Sequence, residues 1–411
     1  FRRIPSRSMA SRRTGVAENC GQVMSFGFPR ENGRSWKSGE QLKLISIHLE
    51  NFRNYATQDI EFGEGVNILY GDNAQGKTNV VEAVHLLATG KSHRTRHLAD
   101  MVRHGAEGFR IEAVIQDDDR QTSLVLAYDR RKGKQLLVND IGRPRWSDLL
   151  GMLHVLMFSP ETMDVVKGGP AERRRFLDIL LLQLDARYLR CLQQYTALLR
   201  QKSAALRDRS AQDRYADLMP VWNEGMAKNG AYLAWKRMET ARRMEQLANR
   251  ELNVLSGGRE SLVLTLQTCI ATDHSLDMKA IGEHLLGKLQ HMLAREREAG
   301  QCLAGVHRDE MQISLNENAA RVFSSQGQQR SIALSLILAA MYLYREDAGA
   351  LPVLLLDDVM SELDPMRQTH LIQVLEKTQT LITTTDRQEY GSRMPADTKW
   401  FEVCDGKLSL R

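Results

Sequence analysis

The segment 71–78, Gly-Asp-Asn-Ala-Gln-Gly-Lys-Thr, constrains the fold of this chain most, because it has the G-x-x-x-x-G-K-[ST] form of a phosphate-binding loop. A β-prone apolar run, 66–70, precedes it, and a run with apolar residues at helical spacing, 79–88, follows it. Gly71 and Gly76 let backbone N–H groups approach phosphate oxygens, and the helix N-terminus adds partial positive charge. The segment therefore predicts a strand, a phosphate-binding loop and a helix.

Two side chains of this loop have predicted chemical roles. Lys77 is expected to reach the β- and γ-phosphates of ATP and to act in catalysis, and the Thr78 hydroxyl is expected to ligate Mg²⁺. The alternative, a glycine turn with an incidental lysine, is disfavoured by the flanking strand and helix patterns. The predicted cofactors are ATP and Mg²⁺, and the predicted nucleotide-binding residues are Gly71, Asp72, Asn73, Ala74, Gln75, Gly76, Lys77 and Thr78.

A pair of acidic residues far along the chain is the candidate for the other half of the site. Asp357 and Asp358 end the apolar run 353–356, which has the length and composition of a buried parallel strand. Carboxylates at the C-terminal end of such a strand lie where ligands bind in open α/β sheets. We predict that Asp357 ligates Mg²⁺ and that Asp358 orients or deprotonates the attacking water. An ordinary helix N-cap is the alternative interpretation.

The sequence places a second helix start upstream of the acid pair. The polar stretch 323–331 contains a glycine and precedes a helical run at 332–344. Ser325 and Gln328 stand at this helix N-terminus, where backbone N–H groups are free to meet an anion. Downstream of the acids, the stretch 381–386 has the pattern of a strand that ends in hydroxyls and an acid.

The order of these segments resembles that of ATP-binding-cassette heads of the SMC-like kind. By this resemblance 325–328 corresponds to the signature loop, 361–364 to the D-loop and Thr384-Thr385 to the switch position. The resemblance implies an α/β fold, an ABC-type P-loop ATPase head with a mixed sheet and an inserted helical domain that forms a short antiparallel hairpin. It also implies an ATP-dependent homodimer, in which the nucleotide held by one subunit is completed by the other subunit's Ser325, Gly327 and Gln328.

More closely, the chain resembles the RecF family of bacterial recombination mediators, over roughly residues 42–411. The resemblance rests on uncommon motifs in one order, which besides the phosphate-binding loop, the signature loop and the acid pair are 49–55, 91–96, 158–161, 167–178 and 305–310. It implies an ATP-dependent DNA-binding protein of recombinational repair and replication restart. Such a protein is a dimer clamp on gapped or junction DNA, double- and single-stranded, that acts with RecR and RecO to help load the recombinase.

Departures from the cassette pattern bear on the expected activity. Asp358 stands where many cassette ATPases have glutamate, and its shorter reach predicts slow hydrolysis by a weak, DNA-stimulated ATPase. No clear Q-loop glutamine is found, and 158–161 is the candidate to replace it. Arg53, Asn54 and Tyr55 are candidates for stacking on adenine. An SMC-type DNA tether and a clamp that barely hydrolyses ATP stay open as alternatives, whereas the inserted helices do not suit a transporter motor.

The net charge of +5 does not by itself indicate nucleic-acid binding. Residues 1–40 hold eight Lys or Arg and three Asp or Glu, so the rest of the chain holds 48 of each sign. DNA binding by the body of the chain must therefore depend on local patches. The candidate patch follows the P-loop helix. Its predicted DNA-binding residues are Lys91, Arg94, Arg96 and Arg103, and His93 lies among them in the sequence. A solvated face, or side chains engaged in salt bridges, would give the same pattern of charges.

Composition places the chain among ordinary globular proteins of a reducing compartment. Residues 1–41, rich in Arg, Ser and Gly and without periodicity, are predicted to be a disordered basic leader. No run of 18 apolar residues occurs, so no membrane span is expected. The five cysteines are scattered and include no C-x-x-C pair, which favours a cytoplasmic location.

Periodicity predicts the order of elements. The pattern is helical from Ala171 to about residue 255, where it indicates a hairpin with a turn at 211–215 and arms of about 35 residues, or about 50 Å. Further strand and helix patterns occur at 261–267 and 278–296. Before the hairpin we expect one mixed sheet with strands at 42–52, 109–115, 123–128 and 134–138. The predicted domains are the leader, 1–41, the N-terminal half of the ATPase head, 42–175, the helical insertion, 176–300, and the C-terminal half of the head, 301–411.

Overall fold

The structure is a computed structural model of the chain, and it describes residues 42–117, 120–208, 215–269, 277–385, 387 and 393–411. These residues lie in one unit. Three predicted features lie outside the described residues: the basic leader 1–41, most of the hairpin turn, 211–214, and Asp386 at the end of the predicted switch strand.

Strands and α-helices, joined by turns and short 3₁₀ segments, make up the described part of the chain. The strands are β1 Lys43–Phe52, β2 Tyr55–Glu61, β3 Val66–Tyr70, β4 Gly108–Asp117, β5 Arg120–Asp129, β6 Gly133–Val138, β7 Ile141–Gly142, β8 Val155–Phe158, β9 Leu262–Gln267, β10 Glu310–Leu315, β11 Asn318–Ala319, β12 Val353–Asp357, β13 Thr380–Thr384, β14 Lys399–Cys404 and β15 Lys407–Leu410. The helices are α1 Lys77–Thr89, α2 Asp164–Lys167, α3 Pro170–Leu184, α4 Ala186–Arg207, α5 Leu218–Ser256, α6 Met278–His291, α7 Leu293–Ala299, α8 Ala320–Phe323, α9 Gln326–Ala348 and α10 Pro365–Leu375.

The first six-stranded sheet has the order β2-β1-β4-β5-β6-β7 and is antiparallel throughout. In β4 buried residues alternate with less buried ones, as period-two strands require when one sheet face packs on a core. The strands predicted from alternation are confirmed as β1, β4, β5 and β6.

The second six-stranded sheet has the order β15-β14-β3-β13-β12-β8, and only the β14–β15 pair is antiparallel. Every residue of β12 and β13 is buried, as expected for strands covered on both faces. The prediction of a buried parallel strand ending in Asp357 is confirmed. The four strands predicted before the insertion do share one sheet, but the prediction that this sheet is mixed is wrong, because all of its strand pairs are antiparallel. Strands β3 and β8 belong to the second sheet, where they pair with strands from the C-terminal part of the chain.

One apolar core joins the parallel sheet to the helical layer. It contains Leu354 and Leu356 of β12, the buried face of α9 and six apolar residues of α5 from Ala241 to Leu255. Each fully buried leucine or isoleucine stabilises such a core by about 1.5–3 kcal/mol. The C-terminal part of α5 therefore belongs to the ATPase head, while its N-terminal part packs on α4 and α6.

Helices α4 and α5 form the predicted antiparallel hairpin. Lys202 donates to Asn223 at 2.8 Å near the turn, and the Tyr232 hydroxyl donates to Asp185 at 2.7 Å at the other end of α4. The arms differ from the prediction. The first is broken at Asp185, whose carboxylate caps α4 by accepting two backbone N–H groups, and the second is a continuous helix of 39 residues.

Two elements cross the predicted boundaries of the insertion. Helix α3 runs across the predicted start of the insertion at residue 176. Strand β9, inside the predicted insertion, pairs antiparallel with β10, which lies after its predicted end at residue 300. The predicted helix over 278–296 is divided into α6 and α7 at Met292. Among the described helices, none has the length and apolar character needed to span a membrane.

Candidate nucleotide site

The phosphate-binding loop lies between β3 and α1, as predicted. Gly71 has a φ of 150°, and a Cβ at this position would lie 2.3 Å from the Val403 carbonyl oxygen, so only glycine fits. The Lys77 ammonium donates to the carbonyl oxygens of Gly71 and Asp72, at 2.5 and 2.7 Å. Helix α1 begins without a side-chain cap and without an acidic residue in its first turn. Its N-terminus therefore keeps the partial positive charge that favours phosphate.

The turn between β1 and β2 holds this loop in place. Asn54 donates to the Gln75 carbonyl at 2.7 Å and accepts from Asn79 at 2.8 Å. Tyr55 donates its hydroxyl to the Gly76 carbonyl at 3.1 Å and is fully buried. The prediction that Tyr55 stacks on adenine is therefore wrong, because no face of its ring is open to a base. The motif at 49–55 therefore supports the phosphate-binding loop through hydrogen bonds to its backbone carbonyls.

A buried ion pair fastens the same turn to α1. Arg53 donates to both carboxylate oxygens of Glu82, at 2.8 and 2.7 Å, and Glu82 is fully buried. Burial alone would raise the pKa of Glu82, but hydrogen bonds from Arg53 and Ser92 outweigh it and lower that pKa. Removing one partner of such a pair typically costs about 3–5 kcal/mol. Glu82 was not identified from the sequence. The pattern that could have indicated it is an acidic residue within the apolar run 80–88.

Two threonines and an aspartate join the distant halves of the site. The Thr78 hydroxyl donates to Asp357 Oδ1 at 2.8 Å, although the two residues are 279 positions apart. Thr383, on the neighbouring strand β13, donates to the same oxygen at 2.7 Å. The structure thus brings together the two predicted Mg²⁺ ligands, and hydroxyl and carboxylate oxygens suit that ion. Thr383 was missed, because the resemblance placed the switch hydroxyl at Thr384-Thr385.

Asp358 follows the acid strand in a strained conformation. Its φ is 54°, which is uncommon outside glycine, and its backbone N–H donates to the Thr383 hydroxyl at 3.0 Å. Partial burial and the neighbouring Asp357 carboxylate raise the pKa of Asp358, whereas Lys77 acts in the opposite direction. A raised pKa makes a carboxylate a better proton acceptor near neutral pH. The exposed side chain is therefore suited to the predicted role as a base.

The predicted signature residues stand at the N-terminus of α9. Ser325 caps the helix by accepting from the Gln328 N–H at 3.3 Å, and the Gln328 side chain accepts from the Ser325 N–H at 2.8 Å. Gln328 also donates to Glu260 at 2.9 Å, and Arg367 donates to the Gly327 carbonyl at 3.0 Å. Gly327 lies in the first turn of the helix rather than in a loop, because this capping box starts the helix at Gln326.

Among the described residues, no hydrogen bond joins the signature residues to the phosphate-binding loop of the same chain. Apart from helix bonds, the described hydrogen bonds of 325–328 join these residues to one another, to Glu260 and to Arg367. The segment 158–161 lies closer to the acids, because Phe158 is in register with Leu356 on the adjacent strand β12. The chain thus brings together the loop, the acid pair and the Q-loop candidate.

The predicted DNA-binding residues have different surroundings. Lys91, Arg96 and Arg103 are exposed. Arg94 donates to Asn79 at 2.9 Å and lies 3.5 Å from Glu82, so its guanidinium is already engaged beside α1. Burial lowers the pKa of His93, so this ring adds no positive charge to the patch near neutral pH.

Comparisons with known proteins agree with this geometry. The profile of the RecF/RecN/SMC N terminal domain family matches residues 43–403. "DNA replication and repair protein RecF" of Symbiobacterium thermophilum is 39% identical over 370 residues, which cover 89% of this chain and 98% of that protein. The counterpart from Ruminiclostridium cellulolyticum is 35% identical over 364 residues, 88% of this chain and 98% of that protein.

A solved structure extends the agreement to three dimensions. The "recombination mediator protein RecF-ATP in RecFOR pathway" superposes with a TM-score of 0.82 at 30% identity, over 90% of this chain and all of that one. The similarity in sequence and fold runs across both halves of the head and the inserted helices. The chain therefore belongs to the RecF family of SMC-like ATP-binding-cassette proteins.

Proposed function

We propose that this chain is an ATP-dependent DNA-binding protein of recombinational repair and replication restart, and that ATP joins two copies of it into a clamp. The observation that carries the proposal is the 2.8 Å hydrogen bond between Thr78 and Asp357. It joins the predicted nucleotide and Mg²⁺ ligands from two distant parts of the sequence, which supports the proposed site. Because no described hydrogen bond joins the signature residues to this site in their own chain, a second copy would supply them.

The surface around the signature residues supports self-association. Val322 and Phe323, just before Ser325, are 70% and 71% exposed. Met366 at the start of α10 is 55% exposed, and its neighbour Arg367 contacts Gly327, so this side chain lies near the same surface. Large apolar side chains within a polar surface mark interaction sites. A second copy of the chain, bound through ATP, would cover them.

Each site residue has one role in the proposed hydrolysis. Lys77 and the α1 N-terminus bind the phosphates, Thr78 and Asp357 hold Mg²⁺, and Thr383 fixes the Asp357 carboxylate. Bound Mg²⁺ would neutralise charge on the β- and γ-phosphate oxygens. Asp358 accepts a proton from the attacking water. The γ-phosphate contacts of the opposing signature residues exist only in the dimer, and this difference in affinity couples ATP to dimerisation.

The comparisons support ATP and DNA repair as the context of this cycle. The relatives are named for DNA replication and repair, and the similar structure is an ATP complex of the RecFOR pathway. RecR and RecO are accordingly the proposed partners, gapped or junction DNA the proposed target, and the cytoplasm the proposed location. An SMC-type tether is disfavoured, because α5 has 39 residues, about 57 Å, and part of it is buried in the head.

Sedimentation of the purified chain with no nucleotide, ADP or ATP, with duplex and gapped DNA added in turn, tests the proposal. We expect a dimer with ATP alone and a further shift with DNA. A chain that binds ATP but neither dimerises nor binds DNA would refute it. Measured turnover per head, with and without DNA, separates a DNA-stimulated ATPase from a clamp that barely hydrolyses ATP.

A further inference from the structure

A second basic surface lies at one edge of the antiparallel sheet, away from the predicted patch. Its six residues, here called the basic edge, are Arg130, Arg131 and Lys132 in the β5–β6 turn, Lys134 in β6, and Arg143 and Arg145 after β7. Five are exposed and Arg143 is half-buried. Among the described residues, none of the six side chains forms an ion pair. Asp129, at the end of β5, accepts the backbone N–H groups of Arg131 and Lys132, and its carboxylate also attracts their side-chain charges.

Two contacts connect the basic edge to exposed cations that the sequence analysis had named. The Lys134 ammonium lies 5.6 Å from the centre of the Trp146 ring, and a Cβ on Gly90, the neighbour of Lys91, would lie 3.1 Å from that ring. The Arg130 backbone N–H donates to the backbone carbonyl oxygen of Glu107, in the loop that begins at Arg103. A concavity beside β6 and β7 is lined by Lys134, Gln135, Leu136, Gly142, Arg143 and Pro144.

We infer that the basic edge, flanked by Lys91 and Arg103, binds the phosphate backbone of double-stranded DNA. This inference rests on the proposed function and names the surface through which it would act. Long, exposed cationic side chains that form no described ion pair are suited to neutralise phosphates without reading sequence. A single strand would in addition need aromatic rings on which bases stack. Trp146, the ring beside the basic edge, is instead occupied by Lys134 and Gly90.

Protection of a sheet edge is a competing explanation, because lysine and arginine discourage unwanted strand pairing. It applies to Arg143 and Arg145, which follow the edge strand β7. It does not apply to Arg130, Arg131 and Lys132, which lie in a turn that pairs with no further strand. The turn cations therefore carry the inference, and they are the residues to change.

The salt dependence of binding measures the predicted contacts. Each neutralised phosphate adds about 0.9 to the slope of log K against log salt. Removing the three turn cations, in R130A/R131A/K132A, should lower the slope by about 2 to 3 and weaken duplex binding by about 100-fold at physiological salt. The charge-preserving variant R131K/K132R should bind like the unchanged chain, because backbone contacts need charge rather than one head-group shape.

Fluorescence anisotropy of a labelled duplex, with ATP and the full chain, provides the test. The matched control is R200A/K288A/R295A, which removes three exposed cations from the helical insertion. We expect duplex affinity to fall only in the basic-edge variant. Equal losses in both variants, or no loss in either, would overturn the inference. Self-association of the basic-edge variant with unchanged DNA affinity would assign these residues to edge protection and also overturn it.

Two further measurements separate this inference from the proposed function and from another partner. ATP-dependent dimerisation, followed by sedimentation, should be the same in the basic-edge variant and the unchanged chain. The unchanged chain could fail to dimerise with ATP while the basic-edge variant still loses DNA affinity. That outcome would refute the ATP-dependent clamp and support DNA binding by the basic edge. If a Glu-rich peptide binds the basic edge and duplex DNA does not, the surface serves an acidic protein and the inference is wrong.

Discussion

The two helix N-termini of the head, at α1 and at α9, are used in opposite ways. Helix α1 begins at Lys77 without a side-chain cap, and the loop before it is enclosed by the β1–β2 turn and the acid strand. Helix α9 is capped by its own Ser325 and Gln328, and Ser325 is exposed. The N-terminus of α1 is part of a candidate nucleotide site formed by its own chain, whereas the N-terminus of α9 is stabilised by its own cap and its Ser325 is exposed.

This difference indicates a division of labour between binding and assembly. A loop with open N–H groups and a lysine can bind phosphate in a monomer. A capped helix end presents mainly side chains, so it adds affinity only when another molecule brings an anion to it. Changes at α1 should therefore weaken nucleotide binding itself, and changes at α9 should affect only the dimer.

Replacing Lys77 with alanine should have the largest effect. The ammonium contacts the loop carbonyls and lies where the β- and γ-phosphates are expected, and removing one charged partner of this kind costs about 2–5 kcal/mol. ATP affinity should fall about 30- to 5,000-fold, measured by isothermal titration calorimetry. Lys288→Ala, at an exposed site on α6, is the control. Unchanged ATP affinity would show that the loop does not bind phosphates.

Asp358→Asn should lower ATP hydrolysis by about 10²–10⁴-fold without weakening ATP binding, because the amide cannot accept the proton of water. A dimer that persists with ATP is expected, measured by light scattering. A monomer under these conditions, for both the variant and the unchanged chain, would contradict the sandwich.

The pH profile of hydrolysis checks the role of Asp358 independently. A base works in its deprotonated form, and the pKa of Asp358 is raised by partial burial and by Asp357. The rate of the unchanged chain should therefore fall as the pH drops through this raised pKa, at a higher pH than for an ordinary aspartate. The residual activity of Asp358→Asn should lack this step. The same step in both proteins would assign the titration to another group.

Ser325→Asp tests the outward-facing helix end while keeping its cap. Aspartate caps helices as well as serine does, but its charge would oppose a γ-phosphate by several kcal/mol. The variant should bind ATP as a monomer and fail to dimerise, in sedimentation with ATP. Ser325→Asn, an equally good neutral cap, should retain the dimer. Normal dimerisation of Ser325→Asp would place the interface elsewhere.

Glu260→Gln should give the smallest effect, in the opposite direction. Glu260 accepts from Gln328 at 2.9 Å, so its negative charge lies beside a residue proposed to contact phosphate. Glutamine keeps the hydrogen-bond acceptor and removes the charge, which at a partly exposed site is worth about 1 kcal/mol. Dimerisation should then need about fivefold less ATP in a sedimentation titration. Glu283→Gln, exposed on α6, is the control, and equal ATP requirements for both variants would remove Glu260 from the site.

Several parts of the site could not be predicted, because their partners are set by packing between distant strands. Thr383 contacts both aspartates only because β13 lies between β3 and β12, and neighbouring hydroxyls in the sequence offered no basis for choosing it. Tyr55 was a candidate for stacking on adenine, but its hydroxyl is buried against the phosphate-binding loop. The basic edge escaped notice because strands and a turn assemble it from two short segments.

The sequence by itself determined the chemistry and the types of element. Gly71 to Thr78 specify a phosphate-binding loop through backbone freedom and charge, and the run ending in Asp357 specifies a buried strand through its continuous apolarity. Tertiary structure alone decided that Thr78 meets Asp357, that β3 leaves the first sheet for the second, and that α5 serves both the hairpin and the head. Local patterns fix local geometry, whereas contacts across 279 residues depend on which buried faces pack together.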